Sequence, residues 1–281
     1  MKRIRSFCIV LLFLFLLTGI SYYSANHYVN HNYAGKYISI LGDSISTYEG
    51  WIPSLNYTYY TGKHCGVSSV NDTWWKKVIN MLDLKLCVNN SWSGSRVTAT
   101  VSAINAGCVR RCVNLHREGI MPDLIIVYMG INDFDNNIPV GTYDGSQNFP
   151  KTTMTFREAY AIMLKNITTT YPDAEVYVCT LPYSNAAGTS RLNITRNKIG
   201  ESLYDYNTAI EELADLFQVN VIDLANCGIS SDNMQLYLGD YSEESERALH
   251  PNKYGHSLIA NTVLATIAPE VGRYYITEPI Q

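Results

Sequence analysis

Five short apolar runs punctuate the chain, at residues 37–41, 84–88, 124–128, 175–181 and 219–224. They are largely unbroken and rich in β-branched residues. That is the pattern of strands buried on both faces, not the alternation of a half-exposed sheet. Amphipathic stretches with helical spacing lie between and after them: 73–82 behind Asp72, then 153–170, 202–217, and 252–268 after His250-Pro251. Strands alternating with helices predict βαβ units and a parallel sheet covered on both faces. The expected fold is therefore α/β, a three-layer α/β/α sandwich on a mostly five-stranded parallel sheet. No internal repeat and no Pro/Gly/Ser linker divides the chain. Long loops are expected at 50–69 and 134–151, and long loops in compact domains are often functional.

The first residues follow a different pattern. Lys2, Arg3 and Arg5 precede an apolar run from position 7 to 17 that continues to Ile20. A basic cluster followed by a short apolar stretch is the layout of an export signal. The run is short for a bilayer span, which needs about 20 apolar residues. Tyr22 and Tyr23 follow it and suit a membrane interface. Residues 1–30 are thus expected to be a cleaved signal or an N-terminal anchor, and 31–281 a single folded domain, secreted or held at the cell surface. Membrane contact is expected only through that segment.

Composition adds exclusions. With 47% hydrophobic, 12% aromatic and 16% charged residues, the 281-residue chain is neither disordered nor collagen-like. The net charge of −4 becomes −7 without the three leading basic residues, and no nucleic-acid binding is indicated. Seven cysteines occur. Cys8 lies in the apolar run, Cys87 and Cys179 read as small buried hydrophobes in strands, and Cys108 and Cys112 sit four apart on an expected helix. One or two disulfides at most are expected. The six histidines form no recognised metal spacing, and neither GxGxxG nor GxxxxGK is present, so no metal or cofactor is called for. The absence of GxSxG argues against the α/β-hydrolase elbow.

In a parallel sheet ligands bind at the carboxyl ends of the strands. There the first run gives way to Gly42-Asp43-Ser44-Ile45-Ser46, the second to Asn89-Asn90-Ser91-Trp92-Ser93-Gly94, and the third to Gly130-Ile131-Asn132-Asp133. A hydrolytic serine needs an exposed hydroxyl, a base within reach and donors aimed at the developing oxyanion. Singly, each segment is ordinary: a helix-capping serine, a turn asparagine, a permissive glycine, a surface histidine.

Taken together, the segments resemble the SGNH, or GDSL-type, hydrolase family of esterases, lipases and carbohydrate deacetylases. The resemblance runs from about Tyr37 to Ala268. It rests on Gly42-Asp43-Ser44-Ile45-Ser46, Asn90-Ser91-Trp92-Ser93-Gly94, Gly130-Ile131-Asn132-Asp133 and His250-Pro251-Asn252 with Gly255, in the family's order. It implies a flavodoxin-like fold, with Ser44 as nucleophile and His250 as general base. It also implies an oxyanion hole from the backbone N–H groups of Ser44 and Gly94 and the side chain of Asn132. Asp43 is expected to hold its turn, Asp133 to bond locally in its loop, and His256 to be an exposed helical residue.

One position departs from the family. Its last block reads DxxH, whereas Arg247 stands three residues before His250. An arginine cannot orient an imidazole or stabilise its cation. The acid is left among Asp240, Glu246, a backbone carbonyl, or none. The expected activity is an exported serine esterase removing acyl groups, acetyl in the first instance, from carbohydrates or small alcohols. Trp51, Tyr57, Tyr59, Tyr60 and Trp92 are candidates for stacking on sugar rings. The alternatives are a lipase or thioesterase of the same family and a weakened, carbohydrate-binding scaffold, the latter suggested by Arg247.

Overall fold

The computed structural model describes residues 32–99, 105–146, 155–185, 196–244 and 248–272. The N-terminal segment expected to act in export, Glu246 and Arg247 lie outside these residues.

Five parallel strands form one sheet: β1 (Tyr37–Gly42), β2 (Lys85–Asn89), β3 (Leu124–Tyr128), β4 (Glu175–Cys179) and β5 (Asn220–Ile222). Their order across the sheet is β2-β1-β3-β4-β5. β3 is central, and each of its five residues is buried, as an unbroken Leu-Ile-Ile-Val-Tyr run requires. Helices α1 (Trp74–Met81), α2 (Ile131–Asp135), α3 (Phe156–Thr170), α4 (Leu203–Leu216), α5 (Met234–Tyr237), α6 (Lys253–Ile267) and α7 (Pro269–Gly272) complete the described elements. The chain steps from β1 outward to β2, returns, and continues from β3 to β5 in the other direction. Right-handed crossovers then put α1 on one face and α3 and α4 on the other. Accordingly, α1 packs on α6, and α3 on α4.

Ser202 and Asn252, which open the expected helices 202–217 and 252–268, cap α4 and α6, and Thr155 caps α3. α1 differs. Asp72 belongs to a preceding 3-10 turn, Val70–Asp72, where it closes a capping box with Ser69. The α1 N-terminus is served instead by His256 of α6, whose Nδ1 accepts the Trp74 N–H at 3.2 Å. The expectation that His256 is exposed is therefore wrong, because it faces α1 and is completely buried. Burial, with the charge of Lys77, pushes its imidazole down to about 3. The helix expected around Cys108 and Cys112 is also not formed; turns and a short 3-10 segment, Arg111–Val113, take its place. Cys65, Cys87, Cys108, Cys112, Cys179 and Cys227 are all free thiols.

The strand order reverses between β1 and β3, so the crevice outside their carboxyl ends is the topological switch point of the sheet. Ser44 lies two residues beyond the first of those ends and Asn132 four beyond the second.

Candidate active site

Ser44 opens a single 3-10 turn, Ser44–Ser46, two residues beyond the end of β1. Asp43 caps the turn, its carboxylate accepting the Ile45 N–H at 3.0 Å. Burial raises the Asp43 carboxyl to about 7, against the pull of that amide and of the Arg111 charge. Gly42 is dictated by space. A Cβ there would lie 2.6 Å from the Ser46 side chain and 2.7 Å from Ser91 Oγ. The turn carrying Ser44 can therefore press against the segment that follows β2.

His250, the expected base, arrives from the far end of the chain. Residues 237–240 run antiparallel to 250–252: Leu238 bridges Pro251, the Gly239 N–H donates to the His250 carbonyl at 2.7 Å, and the Asn252 N–H to that of Tyr237 at 2.8 Å. This pairing closes a loop whose two ends are Asp240 and His250. Asp240 Oδ2 lies 2.7 Å from His250 Nδ1, and His250 Nε2 lies 2.9 Å from Ser44 Oγ. Asp240 Oδ1 also accepts the N–H groups of Leu249 and His250, each at 2.9 Å. Burial alone would raise the Asp240 carboxyl. The hydrogen bond and charge of His250, with the two amides, more than offset it and hold the group below the usual carboxylate range. The residue beside Nδ1 is thus Asp240, ten positions upstream, rather than one three positions upstream.

Gly94 adopts φ +72°, a left-handed conformation that suits glycine. The Asn132 amide donates one hydrogen to the Ser95 carbonyl at 2.9 Å, which fixes its orientation and leaves its second hydrogen for another acceptor. Among the described residues, no hydrogen bond is formed by the backbone N–H of Ser44 or of Gly94. Asp133 reaches beyond its own loop, contrary to expectation. It accepts from Val97 N–H (2.8 Å), Thr98 N–H (3.1 Å) and Thr98 Oγ1 (2.8 Å), tying the Asn132 segment to the one after Gly94. Burial lifts it to about 6 despite these donors.

Sequence reasoning missed Arg111. It is buried and donates to the carbonyls of Gly42 and Asn90, to Ser95 Oγ at 2.7 Å and to the Asn105 carbonyl at 2.9 Å. One guanidinium therefore ties the end of β1 to the segment bearing Gly94. Burial lowers it to about 9, countered by Asp43. An arginine in Val109-Arg110-Arg111-Cys112 carries no sequence signal that distinguishes it from its exposed neighbour Arg110.

The aromatic candidates divide. Tyr60 is completely buried and its hydroxyl donates to the Pro251 carbonyl at 2.8 Å, so it is unavailable for stacking on a sugar. The Tyr59 ring is stacked on His250. Tyr57 is 70% exposed, lies edge-on to Trp92 at 5.7 Å, and accepts the Ser93 N–H through its carbonyl. Trp51 is exposed and packs near Trp75. Two surface cavities, of about 570 and 430 Å³, lie elsewhere, near Tyr33 and Glu270 and near Arg157 and Tyr204. Among the described residues, no cluster of His, Cys, Asp and Glu could hold a metal, and no helix is long and apolar enough to cross a membrane.

The sequence profile of the GDSL-like lipase/acylhydrolase family matches residues 36–233. The chain belongs to that family. It is accordingly a carboxylic ester hydrolase by family, and the matched stretch contains Ser44, Gly94 and Asn132 but ends before Asp240 and His250. Solved structures agree. GDSL-like lipase-family proteins from Bacteroides ovatus and Bacteroides uniformis are each 25% identical, with TM-scores of 0.61 and 0.60. The matches cover 82% and 84% of this chain and 96% of each of theirs. A Lactobacillus plantarum protein at 21% identity and TM-score 0.61, covering 86% of this chain and 99% of its own, shows the shared fold. A comparison with curated proteins gives no match.

Proposed function

We propose that this GDSL-like acylhydrolase is an exported serine esterase that removes acyl groups, acetyl foremost, from carbohydrates or small alcohols. The observation that carries the catalytic part is the unbroken chain Asp240–His250–Ser44, with links of 2.7 and 2.9 Å. With the imidazole proton on Nδ1 and donated to Asp240, Nε2 accepts the Ser44 hydroxyl. Ser44 Oγ attacks the ester carbonyl carbon and its proton passes to Nε2. The carbonyl π pair moves to oxygen, where the Ser44 N–H, the Gly94 N–H and the free hydrogen of the Asn132 amide receive it. Losing one such donor typically costs about 3–4 kcal/mol of transition-state stabilisation. Collapse expels the alcohol, protonated by His250, and water repeats the sequence on the acyl-enzyme. Asp240 stays ionised and supports the imidazolium.

The case for a weakened scaffold rested on Arg247, and it loses force with a carboxylate already beside Nδ1. Support for a carbohydrate alcohol comes from Tyr57, held at the rim by Ser93 with most of its ring in solvent. A lipase reading has one observation in its favour, since Leu55 on the same loop is 83% exposed. Export is supported by the basic and apolar pattern of residues 1–20. Residues 32–36 lead into the start of β1, at the end of the sheet opposite Ser44.

A substrate panel tests the reading: acetylated polysaccharides, short and long acyl esters, and thioesters. Release of acetate from polysaccharide with kcat/KM above that for long-chain esters is expected. Preference for long acyl chains would overturn the substrate assignment. Cell fractionation that leaves the protein in the cytoplasm would overturn export.

A further inference from the structure

Tyr59 is the aromatic residue closest to the proposed chemistry. Its ring lies flat on the His250 imidazole, with centroids 3.4 Å apart and 10° between planes. Independent contacts fix it there. Its backbone N–H donates to Thr47 Oγ1 at 2.9 Å, and that hydroxyl donates to the Ser44 carbonyl at 2.8 Å. Its own hydroxyl meets Cys65 Sγ at 3.1 Å, and the His64 ring lies 4.6 Å away. The next residue, Tyr60, holds the Pro251 carbonyl. The pair Tyr59-Tyr60 thus joins the turn of Ser44 to the loop of His250.

We propose that Tyr59 is a positioning residue for ester hydrolysis, its ring face fixing the imidazole plane and favouring the imidazolium that forms as the proton leaves Ser44. This rests on the serine–histidine reading above. An aromatic face carries negative quadrupole density and attracts a cation within about 6 Å of its centroid. Above the acidic limb of the pH profile, the cation exists only while His250 holds the Ser44 proton. The attraction is therefore stronger in the transition state than in the resting enzyme, as a rate effect requires. Tyr59 itself gains and loses no proton; the proton moves from Ser44 Oγ to Nε2 and on to the leaving alcohol. His250 also faces Asp240 at Nδ1, Ser44 at Nε2 and Tyr60 edge-on at 6.4 Å, with His64 and Cys65 behind Tyr59 and His256 beside Tyr60.

The test compares wild type, Tyr59→Leu, Tyr59→Phe, and Phe analogues at position 59 with one to five ring fluorines, which drain the face of electron density at nearly constant shape. Rates on an activated acetyl ester, the pH profile of kcat/KM and circular dichroism are measured together. Tyr59→Leu is expected to lose about tenfold in kcat with little change in KM. Its acidic limb should move to lower pH by about half to one unit. Tyr59→Phe should recover most of the loss, and log kcat should fall steadily with each fluorine. If Tyr59→Leu fails to fold, the fluorinated series decides alone, because a structural role would leave it flat. A flat series, or Tyr59→Phe falling as far as Tyr59→Leu, would overturn the proposal. Failure of the underlying reading looks different: Ser44→Ala would keep its activity, whatever the series shows.

Discussion

Asp240→Asn puts the acid assignment under the sharpest strain. The carboxylate accepts from three donors, His250 Nδ1 at 2.7 Å and the Leu249 and His250 amides at 2.9 Å. An asparagine can satisfy only one side of this arrangement. If its oxygen keeps the two backbone amides, its NH₂ faces Nδ1, and the ring proton must move to Nε2, where it blocks acceptance from Ser44. In serine proteases the corresponding wrong tautomer costs up to about 10⁴ in kcat, or about 5 kcal/mol. If the amide flips to keep the tautomer, two N–H groups lose their acceptor, at about 1–3 kcal/mol each. The two routes are comparably costly, so neither rescues the enzyme. We expect a kcat loss of about 10³–10⁴ on an activated acetyl ester, with a melting temperature near wild type. Asp240→Ala should lose similar activity and also stability, since both amides are then unpartnered. Glu246→Gln serves as the control and should stay near wild type. Activity within tenfold of wild type in a folded Asp240→Asn protein would refute the reasoning, and a large loss in Glu246→Gln would move the acid there.

Two further predictions concern the frame around the site. Arg111→Lys replaces a fork of donors by a point charge and leaves buried carbonyls of Gly42, Asn90 or Asn105 unsatisfied. Urea denaturation should show a loss of about 3–5 kcal/mol, and a loss below about 1 kcal/mol would show the clamp to be dispensable. For His256, the folded imidazole is pushed down to about 3, whereas an unfolded histidine titrates near 6.5. The unfolded chain then binds the extra proton as pH falls through this window. The contribution to stability is whole above about pH 6.5 and declines toward pH 3, by up to about 1.4 kcal/mol per pH unit. The raised carboxyls of Asp43 and Asp133 act in the opposite sense over part of that range, so the readout is the difference between wild type and His256→Gln. The variant should lose less stability on acidification, and parallel curves would contradict the assignment.

What could be read from the chain follows from how local the information is. Leu124–Tyr128 needs only its own unbroken apolar run to be a central strand, and it forms with the expected bounds. Ser202 and Asn252 announce their helices by short-range hydrogen bonds. The segments carrying Ser44, Gly94 and Asn132 were placed because strand ends of a parallel sheet meet on one rim. Where partners are remote, the sequence fell short. Asp72 looks like the cap of α1, yet the cap is His256, 182 positions away, and nothing near either residue reveals it. Asp240 stood among several acids because antiparallel pairing of 237–240 with 250–252, not spacing along the chain, decides which one meets His250. Tyr59 and Tyr60 looked like ligand-stacking residues because an aromatic pair in a long loop says nothing about which face is already taken. The buried role of Arg111 is likewise set by three segments at once.

The most direct test of the serine mechanism is covalent labelling of the purified protein with a fluorophosphonate probe, followed by mass spectrometry of its peptides. One adduct per chain, located on Ser44, is expected, with Ser44→Ala losing both the label and ester hydrolysis. Labelling that persists at another residue in Ser44→Ala, or ester hydrolysis that survives the substitution, would contradict it.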